Sequence, residues 1–130
     1  MKPELTYLVY VCLLTGLLWV PYILDRIFKW GLLDAVGYPA NPKPVSAWAM
    51  RLKAAHANAV ENLVVFAPLV LVANAVGVSN GATATAAIVY FWARLVHAIA
   101  FALGVPFVRT VAFTVGFVCC LTFAAKILGF

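Results

Sequence analysis

Leu5–Leu24 is a run of twenty residues without one charged side chain. A helix of that length rises about 30 Å, the thickness of a bilayer's hydrocarbon layer. Similar runs recur to the end of the chain, which is 66% hydrophobic and only 10% charged. Soluble domains sit nearer 45–50% apolar and about 25% charged, and a soluble fold of 130 residues has too little interior to hide this much apolar surface. Lipid is the solvent such a chain requires. The expectation is an all-α, integral, multi-pass membrane protein: a four-helix bundle forming one domain over residues 1–130. Membrane barrels need strict apolar–polar alternation, which these runs lack. The first run has no small-residue cleavage signature before its polar flank, so it reads as a retained span and not as a signal peptide.

Breaker residues divide the chain. The first span is predicted over about 4–28, with Pro21 bending its end and Asp25, Arg26 and Lys29 at the interface. Residues 31–45, GLLDAVGYPANPKPV, gather Gly31, Gly37, Pro39, Pro42 and Pro44 and read as an irregular loop. Ser46 is a natural N-cap for a second span reaching about Val76. At about 1.5 Å per residue that helix outruns the membrane, so its first turns, with Arg51, Lys53 and His56, stand outside the hydrocarbon. Pro68 is a potential kink. The turn Gly77–Gly81 leads to a third span over 82–103, and Gly104-Val105-Pro106 leads to a fourth over 108–128. Such short links make the last three spans antiparallel neighbours.

The formal charge of +5 follows topology. Arg26, Lys29, Lys43, Arg51, Lys53 and Arg109 cluster on one side, and the 77–81 turn has no basic residue. The positive-inside rule puts the long loop in the cytoplasm and both termini outside. No basic stripe interleaves with exposed aromatics, so no nucleic-acid partner is expected. Cys12, Cys119 and Cys120 show no metal-ligand spacing, no motif brings His56 and His97 together on a metal, and no metal is expected.

The informative residues are polar groups inside the spans. Glu61 lies in AVENLVVFAPLVLV, and Arg94 and His97 lie in YFWARLVHAIAFAL. A charged group at mid-bilayer costs at least about 2.5–3.5 kcal/mol, so it faces protein, a partner charge or a polar pocket. Asn58 and Glu61 share a helix face, with Asn62 one turn beyond Asn58; Arg94, His97 and Phe101 share another. Two readings stand open. In one, a Glu61–Arg94 salt bridge bolts two helices in register, with Asn58 and His97 satisfying neighbours. In the other, the stripe lines a pocket for a small anionic or zwitterionic ligand. Arg94 and Arg109 then meet carboxylates, Glu61 an ammonium and Asn58 an amide or carboxylate, and apolar walls admit a lipophilic second ligand. Polar groups do not continue through the full depth of the fourth span, which argues against a channel.

RLKAAHANAVENLVVFAP and ARLVHAIAFALGVPFVRTVAFTVG together resemble the second-span and third-to-fourth-span signatures of the membrane-associated proteins in eicosanoid and glutathione metabolism (MAPEG). The likeness is closest in style to the microsomal prostaglandin E synthase branch and its bacterial relatives. It is specific over about residues 48–118, through H-x-N-x-x-E, R-x-x-H and a following R-[ST]. The resemblance implies a homotrimer of four-helix protomers in a bacterial inner membrane, with the second span at its centre. It implies glutathione as cofactor, held between subunits on the cytoplasmic side, and a lipophilic small-molecule substrate from the surrounding membrane lipids. Asn58, Glu61, Arg94, His97 and Arg109 match the family's glutathione-contacting positions, and Arg26 is a looser match at the end of the first span. Arg109 is implied to favour the thiolate and Thr110 to donate to its sulfur. The sequence departs at Phe101, which stands at the place of a contacting Tyr, and at Ala54, which stands at the place of an Arg. The implied activity is that of a glutathione-dependent transferase or peroxidase. The alternative is a non-catalytic lipid- or partner-binding module of the same fold.

Overall fold

A computed structural model describes all 130 residues. The chain is all-α: α1 (Pro3–Leu17), α2 (Trp19–Trp30), α3 (Leu32–Val36), α4 (Ala47–Ala75), α5 (Gly81–Leu103) and α6 (Pro106–Ile127). Four stretches are long and apolar enough to cross a membrane: α1 with α2, then α4, α5 and α6. The protein is thus an integral, multi-pass membrane protein, as expected.

The first span differs from expectation at its middle. α1 ends at Leu17 and α2 begins at Trp19, although Leu18 keeps helical dihedrals (φ −63°, ψ −22°). Pro21 explains the interruption. It has no N–H, so the Leu17 carbonyl four residues earlier has no helical partner. The loop differs too. Leu32–Val36 forms a short helix where irregular backbone was expected. It starts after Gly31, whose φ of 82° turns the chain, and no proline stands between Gly31 and Pro39 to prevent it.

Two contacts fold the loop back onto the spans. The Trp30 indole donates to the Lys43 carbonyl at 2.5 Å. Ser46 donates to the Asp25 carboxylate through its backbone N–H at 2.9 Å and its hydroxyl at 2.6 Å. Ser46 is the N-cap residue of α4 as predicted, but its hydroxyl ties α4 to α2 instead of capping its own helix. The start of α5 is fixed by a reciprocal capping box between Asn80 and Thr83. Its end turns at Gly104, in the left-handed region with φ 75°. α6 begins two residues earlier than expected, because Pro106 occupies a first-turn position where its missing N–H costs nothing.

Two apolar clusters hold the bundle. The larger joins α1, α4, α5 and α6 through Leu8, Val11, Phe66, Val70, Tyr90 and Phe123. At its centre Phe66 stacks on Tyr90, with ring centroids 3.7 Å apart and planes within 2°. Phe123 meets Phe66 edge-on at 5.8 Å. The smaller cluster, Leu18, Leu52, Ala55, Ala59 and Ala98, lies toward the long-loop end. Between Tyr90 of one cluster and Ala98 of the other, one turn from each along α5, sits Arg94.

Candidate ligand site

Arg94 is 3% exposed and His97 2%. Arg94 reaches from α5 to α4, where its Nη2 donates to Asn58 Oδ1 at 2.8 Å. Nη2 also lies 3.3 Å from His97 Nδ1. A guanidinium offers donors only, so Nδ1 is the acceptor and a neutral His97 carries its proton on Nε2. Asn62 fixes the Asn58 amide: its Nδ2 donates to the Asn58 backbone oxygen at 2.8 Å and to Oδ1 at 3.2 Å. That turns the Asn58 oxygen to Arg94 and leaves its NH₂ unused. Gly116 of α6 lies against both Tyr90 and Arg94, and a methyl there would stand 3.6 Å and 3.8 Å from them.

The network continues to the mouth of α6. The His97 ring meets Phe101 edge-on, centroids 5.7 Å apart. The Arg109 guanidinium carbon lies 4.5 Å above the Phe101 ring, a cation–π contact. Nearby, Arg51 Nε donates to the Ala102 carbonyl at 2.8 Å and fastens the start of α4 to the end of α5. Asn58, Arg94, His97, Phe101 and Arg109 thus form one run of contacts across three helices.

Three other expected residues stand outside this run. Glu61 is exposed on α4, and Arg94 takes Asn58 and His97 as its partners. The expected Glu61–Arg94 salt bridge is therefore not formed. Glu61 lies three residues beyond Asn58, about 60° further around α4, which turns its carboxylate outward. Thr110 is exposed, and its hydroxyl donates to the Pro106 carbonyl at 3.0 Å, the usual fate of a helical threonine in lipid. Arg26 stacks on Trp30 at 4.4 Å and lines a separate cavity with Lys53. His56 accepts from, or donates to, the Tyr22 hydroxyl at 2.7 Å and so joins α4 to α2. The small residues of α4 divide: Ala55 and Ala59 are buried within the bundle, whereas Ala54 and Ala57 are exposed beside Glu61.

Sequence reasoning missed two buried polar groups. The Tyr90 hydroxyl, one turn before Arg94, is enclosed without a partner. Glu4, 4% exposed, accepts from the Thr83 hydroxyl at 2.9 Å and pins α1 to the start of α5. Its signal was present as the only acid of the first apolar span before Asp25.

The charge balance of the site is uneven. Arg94 has only neutral hydrogen-bond partners, and its Nε is enclosed with none. A buried cation left uncompensated costs several kcal/mol. A second cation, Arg109, stands in the first turn of α6, and a free carboxylate, Glu61, stands exposed on α4. Two cations, one carboxylate and a free amide suit a molecule with two carboxylates and one ammonium.

Neither the curated proteins nor the solved structures yield a match to this chain. The model of the MAPEG family matches residues 5–129, all but the first four residues and the last. The chain therefore belongs to the MAPEG family.

Proposed function

We propose that this protein is a glutathione-dependent membrane transferase or peroxidase acting on a lipophilic electrophile, with its site between the subunits of a homotrimer on the cytoplasmic side. One observation carries the reading most: Arg94 is a buried cation, held in place by Asn58 and His97, without any anion of its own protomer beside it. Family membership supports glutathione as the anion-bearing ligand. Arg94 would hold a carboxylate through Nη1, the guanidinium nitrogen that is neither enclosed nor hydrogen-bonded within the chain, and the free Asn58 NH₂ would add a donor. Glu61 would take the ammonium.

Glutathione, when bound, would supply the nucleophilic thiol. Arg109 would favour ionisation of that thiol by its positive charge. Phe101 holds the Arg109 guanidinium through its ring face and so orients the charge. Thr110 would donate to sulfur only after its hydroxyl leaves the Pro106 carbonyl. Arg26, which lines a separate cavity with Lys53, is left out of this site.

Assembly follows from the same residues. An exposed carboxylate on a membrane helix calls for a partner, and Ala54 and Ala57 beside Glu61 let a second helix approach closely. Trimerisation would bring Glu61 of one copy toward the cations of the next. The Lys/Arg distribution supports a cytoplasmic long loop and 104–109 turn with external termini, and the resemblance to bacterial members supports a bacterial inner membrane.

The second reading, a non-catalytic lipid- or partner-binding module, is favoured by two details: Phe101 offers no phenol, and the Thr110 hydroxyl is already bonded. Assay of the detergent-purified protein with glutathione and a panel of lipophilic electrophiles and hydroperoxides separates the two. Glutathione-dependent turnover lost in Arg94→Leu supports the enzyme. Absence of turnover with retained lipid supports the module.

A further inference from the structure

Outside the Arg94 network, a cavity of about 470 Å³ opens between α2 and the start of α4. Its walls include two cations, Arg26 and Lys53, two aromatic side chains, Tyr22 and Trp30, and the apolar Ile23 and Met50; no acidic side chain lines it. The nearest acid in sequence, Asp25, is engaged through both carboxylate oxygens by Ser46. Arg26 is positioned by Trp30, yet its Nε is enclosed without a hydrogen-bond partner. Lys53 and Asn58 are five residues apart on α4, about 140° around the helix, so this cavity and the Arg94 network occupy different faces.

Depth decides the chemistry. Arg26 and Trp30 end the first membrane-crossing stretch, and Met50 and Lys53 begin the second. The cavity therefore lies where lipid headgroups meet hydrocarbon. A basic and aromatic rim above apolar side chains at that level matches a molecule with an anionic head and an aliphatic continuation. The volume lies within the roughly 300–1,000 Å³ of small-molecule sites. We infer that the cavity between α2 and α4 is a binding site for an anionic phospholipid, its phosphate held by Arg26 and Lys53 and its glycerol and first methylenes lying on Ile23 and Met50. The inference is independent of the thiol chemistry proposed above. It gives Arg26 a ligand within its own protomer.

The test is native mass spectrometry of the detergent-purified, delipidated protein titrated with dioleoylphosphatidylglycerol, with dioleoylphosphatidylcholine and soluble glycerol 3-phosphate as the other probes. The expected result is saturable retention of phosphatidylglycerol, weaker retention of phosphatidylcholine, and binding of glycerol phosphate only at much higher concentration. Glycerol phosphate binding as tightly as the lipid would reassign the site to a soluble phosphate and overturn the lipid assignment. Joint replacement, Arg26→Gln with Lys53→Gln, should weaken phosphatidylglycerol retention by about tenfold or more, and Arg26→Lys should preserve most of it. Lys53 is exposed, so Lys53→Gln alone tests the site without disturbing packing and should weaken retention several-fold. Lys29→Gln, a nearby cation that does not line the cavity, should leave retention unchanged. Equal losses in Lys29→Gln and Lys53→Gln would reduce the effect to general surface charge and overturn the proposal. So would displacement of the lipid by reduced glutathione, which would assign the cavity to the thiol.

Discussion

Arg94 shows how a single side chain can be legible in type and illegible in partner. Its place in an apolar run marks it as a residue that must face protein, and it is 3% exposed. The sequence offered Glu61 as its counter-charge, but a carbonyl oxygen from Asn58 takes that place. Helical spacing puts Asn58 and Glu61 on one broad face without saying which of the two points at α5. Asn58→Ala should therefore destabilise the protein by about 1–3 kcal/mol, because Nη2 of a buried cation loses its best acceptor. Thermal unfolding of the detergent-purified variant measures this, and an unchanged midpoint would contradict the assignment. Glu61→Gln, in an exposed position, should leave protomer packing intact and act on ligand binding or assembly alone. At the mouth, Arg109→Ala should lower turnover more than glutathione affinity, since its charge acts where the thiolate forms. Arg109→Lys should restore part of the rate, because a point charge remains without the planar guanidinium that lies on Phe101. Parallel kinetics and binding titrations separate the two effects. Equal turnover in Arg109→Ala would remove the residue from the mechanism.

Helix boundaries were largely readable because each has a local cause. Asn80 and Gly104 bound α5, Pro106 opens α6 and Ser46 precedes α4. The break at Leu18 was half-readable: Pro21 announced a bend, but the vacancy falls four residues upstream, at the carbonyl that loses its donor. The turn of helix at Leu32–Val36 was hidden by the prolines that follow it. What periodicity could not supply is how neighbouring helices share their faces. Ala55 and Ala59 are consumed by packing within the protomer, while Ala54 and Ala57 remain outside. The Tyr90–Phe66 stack between α5 and α4 is likewise a product of helix rotation. It supports a prediction at this scale. The Tyr90 hydroxyl is enclosed without a partner, so Tyr90→Phe should keep the stack and leave the unfolding midpoint equal or higher. A marked fall would mean that the hydroxyl is satisfied in the folded protein.

For the whole molecule, composition and span length fixed the solvent and the four-span architecture before any contact was known. Subunit number was readable only through resemblance, because an isolated exposed face does not count its partners. That resemblance, with the open α4 face of Ala54, Ala57 and Glu61 beside it, leads to an expected detergent-corrected mass of three chains. A fully active monomer would contradict it. The orientation inferred from Lys and Arg predicts external signals from reporters fused after Phe130 and in the 77–81 turn; a cytoplasmic signal at Phe130 would reverse it. Both expectations meet at the candidate site, where the chain presents buried positive charge on one side and an unpaired carboxylate on another. The most direct test is isothermal titration of reduced glutathione into the detergent-purified native protein, Arg94→Leu and Phe101→Tyr. The account predicts saturable binding to the native protein, loss of binding in Arg94→Leu, and binding tighter by about 0.5–1.5 kcal/mol in Phe101→Tyr, where a phenolic donor is added. No binding to either the native protein or Phe101→Tyr, or undiminished binding to Arg94→Leu, would contradict it.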